Sequence, residues 1–154
     1  MFERFRSALL GGGNAKKVAT ELARGMGGSA SAREAGSAWR VRGSWGGARC
    51  QVELDEQADS MSVEATCGAG SAGNARLDIT EPNDSEVLER LPMKLRLHVI
   101  EVLEAGRGTL RLSEGRLRLD VSRAGLARPD AAAQATIRMD VIAELAQALP
   151  GVLR

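Results

Sequence analysis

The sequence predicts an α+β fold: an antiparallel β-meander and a later β-hairpin with helices packed on one face, in the order α-α-ββββ-α-ββ-α. Three observations carry this expectation. Apolar residues recur with a helical period before Ala38 and with period 2 after it. Two tight-turn dipeptides, Gly46-Gly47 and Glu114-Gly115, join alternating stretches in a register that is consistent on both faces. A later segment, Leu88 to Leu103, carries an apolar stripe wide enough to meet a sheet and a second helix together.

A chain of 154 residues, 44% hydrophobic and 27% charged, is the size of one domain and needs no disulfide or metal to fold. Its 18 glycines and 3% aromatics imply many turns and a core of Leu, Val and Ala. The pattern divides it into an N-terminal helical segment over 1–26, a flexible linker over 27–37 and a single α+β domain over 38–154.

Phe2, Phe5 and Leu9 share a face at helical spacing. Gly11-Gly12-Gly13 interrupts, and Asn14 is placed to cap a second helix with Ala15, Val18, Leu22 and Met26 on one face, ending near Gly25. The stretch GGSASAREAGS that follows has linker composition.

A Gly46-Gly47 turn sets Trp39 opposite Leu54, Val41 opposite Val52 and Arg40 opposite Glu53. Met61, Val63, Ala65 and Cys67 make a third strand, and Leu77 with Ile79 a short fourth. Cys67 then lies diagonal to Cys50, at about 7–8 Å, too far for an unstrained disulfide. Both cysteines are expected to be reduced core residues.

Asp84 or Ser85 caps the next helix, whose stripe runs through Leu88, Leu91, Leu95, Val99 and Val102 and is widened by Leu97, Ile100 and Leu103. Pro92 must kink it or open a new one. Gly106 and Gly108 end it. In the hairpin TLRLSEGRLRLDVSR, Leu110 faces Leu119 and Leu112 faces Leu117, and Arg111 lands opposite Arg118. Pro129-Asp130 opens a last helix with Ala133, Ile137, Val141, Leu145 and Leu149 on one face, closed by Pro150-Gly151.

In element order alone, with no shared residue motif, this arrangement is similar to the class I type III secretion chaperones, which run helix, three strands, helix, two strands, helix. The resemblance implies a homodimer that binds another protein.

Composition and motifs exclude more than they assign. Lys plus Arg is 21 against 20 for Asp plus Glu, so the net charge of +1 gives no reason to expect a nucleic-acid partner. Arg- and Ala-rich, Lys-poor usage is bacterial-like and says nothing about chemistry. MFERFRSALL lacks a secretory core and no run suggests a membrane span, so a cytoplasmic location without stable membrane insertion is expected.

Cys50, Cys67 and His98 have no zinc-ligand spacing, so no metal and no cofactor is assigned. Gly68 to Gly73 satisfies GxGxxG, but Ala75–Thr80 reads as a strand where a dinucleotide site needs a helix. GGGNAKK lacks a P-loop ending. His98, in LRLHVIEVL, reads as a rim or partly buried residue, and Glu101 and Glu104 as solvated. No residue is assigned a catalytic role.

The arginines are the remaining feature. Arg111 directly opposite Arg118 costs up to about 1 kcal/mol unless Asp78, Glu64 or Asp120 relieves it. Trp45, beside the tight turn, either folds over the sheet end or meets a partner. The favoured function is a non-enzymatic cytoplasmic protein-binding module, adaptor or chaperone-like, acting through an exposed sheet face and the N-terminal helix. Its contact residues are Arg111, Arg116, Arg118, Arg40, Arg42, Trp45, Phe2, Phe5 and Leu9, its partner another protein of acidic character, its state a homodimer. The alternative is a small-molecule or anion-binding sensor, or an enzyme, using a pocket between helix and sheet near His98.

Overall fold

In the computed structural model, which describes residues 14–27, 32–36, 38–67, 76–79 and 86–152, the alternation after Ala38 becomes antiparallel strands. The first helix, α1 (Asn14–Gly25), is followed by β1 (Arg33–Ala35), β2 (Ala38–Trp45), β3 (Ala48–Asp55), β4 (Ser60–Thr66) and β5 (Leu77–Ile79). Then come α2 (Glu86–Glu89), α3 (Met93–Ala105), β6 (Gly108–Ser113), β7 (Arg116–Val121) and α4 (Ala131–Val152). The helix over Phe2, Phe5 and Leu9, the Asp84/Ser85 cap and the GxGxxG segment lie outside the described residues.

The two hairpins have the expected turns. Gly46 and Gly47 have φ of 55° and 85°, and Glu114 and Gly115 of 54° and 73°. Two successive left-handed residues match the twist of the flanking strands. Register follows: Trp39 pairs with Leu54, Val41 with Val52 and Arg40 with Glu53, and Leu110 with Leu119, Leu112 with Leu117 and Arg111 with Arg118.

Among the described residues one sheet holds seven strands, ordered β1-β2-β3-β4-β7-β6-β5. The short strand at Leu77–Ile79 does not extend the meander: it lies at the far edge, antiparallel to β6. The physical reason is ladder length. β4 gains six paired residues from β7, with Leu117, Leu119 and Val121 against Ala65, Val63 and Met61, whereas β5 has three residues to offer.

All the described helices pack on one face of the sheet. Val41, Val52, Leu54, Met61, Val63, Leu110, Leu112, Leu117 and Leu119 line the covered side of the sheet. Over them α1 lies on β2, α3 on β6, and α4 between the two above β3, β4 and β7. The buried face of α1, Ala15, Val18, Ala19 and Leu22, belongs to the same core as the sheet. Within the stretch that reads as a linker, Arg33–Ala35 forms β1 by pairing with the edge of β2. That strand has no apolar alternation to announce it; its three residues pair with Ala38, Trp39 and Arg40 of β2.

Other boundaries differ from the pattern. The helix around Pro92 is two helices, with Pro92 as the N-cap of α3 and its carbonyl taken by the Arg96 N–H at 2.9 Å. Asn14 is the first helical residue, and its N–H is held by Glu56 Oε1 at 2.8 Å. Helix α4 continues through Pro150 and Gly151 to Val152, because proline's fixed φ is helical and only one donor is lost.

Flanked on both sides, α4 is buried through Ala131, Ala135, Met139, Ile142, Leu145 and Leu149, while the expected stripe residues Ala133 and Ile137 face outward. Leu97, expected to widen the buried face of α3, is also exposed, since α4 covers only one flank of that helix.

Arg138 is the buried exception, at 6% exposure. Its Nη1 donates to the Ala124 carbonyl at 3.1 Å and approaches Met61 Sδ at 3.7 Å. Beside it Asp59, at φ 51°, accepts from the N–H groups of Gly125 and Leu126 at 3.1 and 2.8 Å and gives its own carbonyl to Ala124 N–H. The turn before β4 is thus stapled to the loop before α4. Desolvation lowers the Arg138 pKa, and the charges of Asp59 and Asp130 oppose the shift.

Candidate functional site

No described helix covers the second sheet face, which carries the arginines. Strand alternation puts Arg40 and Arg42 of β2, Arg49, Gln51 and Glu53 of β3, Ser62 and Glu64 of β4, Arg116, Arg118 and Asp120 of β7, Arg111 of β6 and Asp78 of β5 on it. Most of those arginines are engaged by acids of the same chain. Arg118 Nε reaches Asp120 at 3.0 Å, and its Nη2 donates to Ser62 Oγ at 3.2 Å. Ser62 in turn donates to Asp120. Arg111 is drawn away from that pair, to Asp78 on β5 at 3.7 Å, so each of the two facing guanidiniums has a carboxylate of its own. Arg40 pairs with Glu53 at 3.0 Å, although its buried Nε has no hydrogen-bond partner.

These pairs are exposed and individually contribute little. Their effect is to cancel the charge of most of the face. One corner differs. Arg42, Arg49 and Arg116 line a concave site of about 560 Å³ with Ser44, Gln51 and Thr66. Glu64 is the one carboxylate there, and it approaches Arg116 at 3.8 Å. Arg42 donates to the neutral Gln51 amide at 3.0 Å, and Arg49 has no ion-pair partner among the described residues.

A second concavity lies on the helix side. A groove of about 670 Å³ between α3, α4 and the β2–β3 turn is lined by Lys94, His98 and Glu101 of α3 and Ile137, Asp140 and Glu144 of α4. Trp45 closes one end, with its ring folded onto Gly25 and its Nε1–H donated to Asp140 Oδ1 at 2.7 Å. Gln147 donates to the Gly46 carbonyl at the same turn. Polar groups therefore converge near His98, but among the described residues none forms a metal-binding cluster.

The outer strip of α3 runs Met93, Leu97, Ile100 and Glu104, one position per turn. Met93 is 66% and Leu97 55% exposed, and Ile137 across the groove is 47% exposed. These are the large hydrophobic side chains left open among the described residues.

Of the residues singled out in the sequence, Arg40, Arg111 and Arg118 are thus internally paired, Arg42 and Arg116 join the corner, and Trp45 packs inward. Phe2, Phe5 and Leu9 lie outside the described residues. Arg49 was legible on the same face as Gln51, but its nearness to Arg116 depends on β7 pairing with β4. Cys50 and Cys67 are free and buried, and desolvation raises both thiols, Cys50 to about 11. They are poor nucleophiles. No described helix is long and apolar enough to cross a membrane.

Comparison with protein-family models, curated proteins and solved structures finds no match for this chain.

Proposed function

We propose that this protein is a non-enzymatic, protein-binding module, adaptor or chaperone-like, that works as a homodimer built on the outer face of α3. One observation carries the reading: Met93, Leu97 and Ile100 recur at i, i+4 and i+7 on the side of α3 opposite its buried Leu95, Val99 and Val102. A helix with two apolar stripes needs a second surface to cover the outer one.

Charge favours a second copy as the cover. Lys94 and Arg96 lie in the first half of α3, Glu101 and Glu104 in the second. Two copies crossing antiparallel at Leu97 set Lys94 beside Glu101 of the other chain, and the apolar strip beside itself. A self-complementary patch is what a two-fold interface requires. The position of Trp45 and the pairing of most sheet arginines move the proposed contact away from those residues and onto the helix layer.

Sedimentation equilibrium across a concentration series tests this. The wild type is expected to be dimeric and Leu97→Arg monomeric with an unchanged circular dichroism spectrum. Lys94→Glu weakens the dimer, and adding Glu101→Lys restores it. A monomeric wild type, or a Leu97→Arg variant that stays dimeric, overturns the proposal.

A further inference from the structure

We infer that the corner formed by Arg42, Arg49 and Arg116 is a binding site for a phosphoryl group on a small ligand. The reading is independent of the proposed dimer, because the corner lies on the sheet face opposite the helix layer.

Three properties set this corner apart from the rest of the face. The first is shape: Arg42, Arg49 and Arg116 all line one shallow concavity of about 560 Å³. The second is charge. Elsewhere each arginine of β6 and β7 has an acid at hand, but here three guanidiniums face the single carboxylate of Glu64. The third is the donor set. Three planar forks, the Ser44 and Thr66 hydroxyls and the Gln51 amide are all groups that donate to oxygen. Arginine matches tetrahedral oxyanions through paired N–H donors and holds them better than a point charge does.

The strands explain why the site persists without a ligand. Arg42 and Gln51 are cross-strand partners, Glu64 faces Gln51, and Thr66 faces Arg116, so five positions are fixed by backbone ladders. Repulsion among the arginines is tolerated because their ends are solvated. A phosphoryl group would displace Arg116 from its long contact with Glu64 at little cost.

Isothermal titration calorimetry with pyrophosphate at ~0.1 M salt, with inorganic phosphate and citrate as further arms, tests the site. The wild type is expected to bind pyrophosphate saturably, one per chain, more tightly than citrate. Arg49→Gln and Arg116→Gln each weaken binding about tenfold or more. Glu64→Gln strengthens it, since the opposing charge is gone, and Arg24→Gln on α1 leaves it unchanged. Because these side chains are exposed, the variants are expected to fold, which circular dichroism checks. No saturable binding, undiminished binding by Arg49→Gln, an equal loss in Arg24→Gln, or citrate binding as tightly as pyrophosphate would each overturn the assignment.

Discussion

Trp45 Nε1 donates to the Asp140 carboxylate at 2.7 Å, tying the end of β2 to the middle of α4 across 95 residues of sequence. The bond fixes the indole with its six-membered ring against the α-carbon of Gly25, where a methyl group would collide with Cζ3 and Cη2. Glycine near the end of α1 is therefore a packing requirement. A helical glycine replaced by alanine ordinarily gains about 0.5–1 kcal/mol; Gly25→Ala is expected to lose about 1–3 kcal/mol instead. Urea unfolding measures it, and in a Trp45→Leu background the loss should shrink or change sign.

Asp59 and Arg138 hold the loop before α4 from two sides. Asp59→Ala removes the acceptor for two backbone N–H groups and a favourable charge near Arg138. A loss of about 2–4 kcal/mol is expected. Arg138→Met keeps the volume and removes a buried cation that makes no ion pair among the described residues. It should be far milder than Asp59→Ala, and a loss of equal size in chemical denaturation would show that the guanidinium bond to Ala124 is the main fastening.

Stability should fall at alkaline pH through Cys50. Its thiol ordinarily ionises near 9, and burial raises it to about 11 in the folded chain. A raised folded value means the contribution is complete below about pH 9 and is lost as pH rises through about 11. The loss amounts to about 2–3 kcal/mol. Cys50→Ala should flatten that part of the profile relative to the wild type, whatever its effect at neutral pH.

Arg111→Thr is expected to change stability by less than about 0.5 kcal/mol. The substitution gives up an exposed pair with Asp78, yet it also removes a like charge directly opposite Arg118. A loss well above 1 kcal/mol by thermal or urea unfolding would mean that the charged ladder contributes more than its exposure implies.

Register was the most legible part of the fold, for a mechanical reason. Once Gly46-Gly47 and Glu114-Gly115 fix the turns, the alternation leaves one pairing that keeps Val41, Val52, Leu117 and Leu119 on the same side. Of the acids named as relief for the arginines, Asp120 stands two residues along the same strand as Arg118, whereas Asp78 reaches Arg111 only through the pairing of β5 with β6 and Glu64 reaches Arg116 only through that of β4 with β7. Long-range choices were not legible. Placing β5 beside β6 required knowing that β7 had taken the edge of β4. The outward turn of Leu97 and Ile137 depends on α4 lying between α1 and α3, which no local period encodes. The phosphoryl corner joins Arg49 to Arg116 only through that same pairing of β4 with β7.

The sheet ends on β1 and β5, each three residues long. A free strand edge is a template on which another chain can add itself, and long apolar edges seed fibrils. Here β3 lies inside the sheet, β1 covers the first three residues of the eight-residue β2, and the exposed rims carry Arg33, Glu34 and Asp78. Removing β1 would bare the outer edge of β2 at Ala38, Trp39 and Arg40. A segment whose composition reads as mere spacer thus covers part of a sheet edge, and shortening that segment is expected to lower solubility before it disturbs the core.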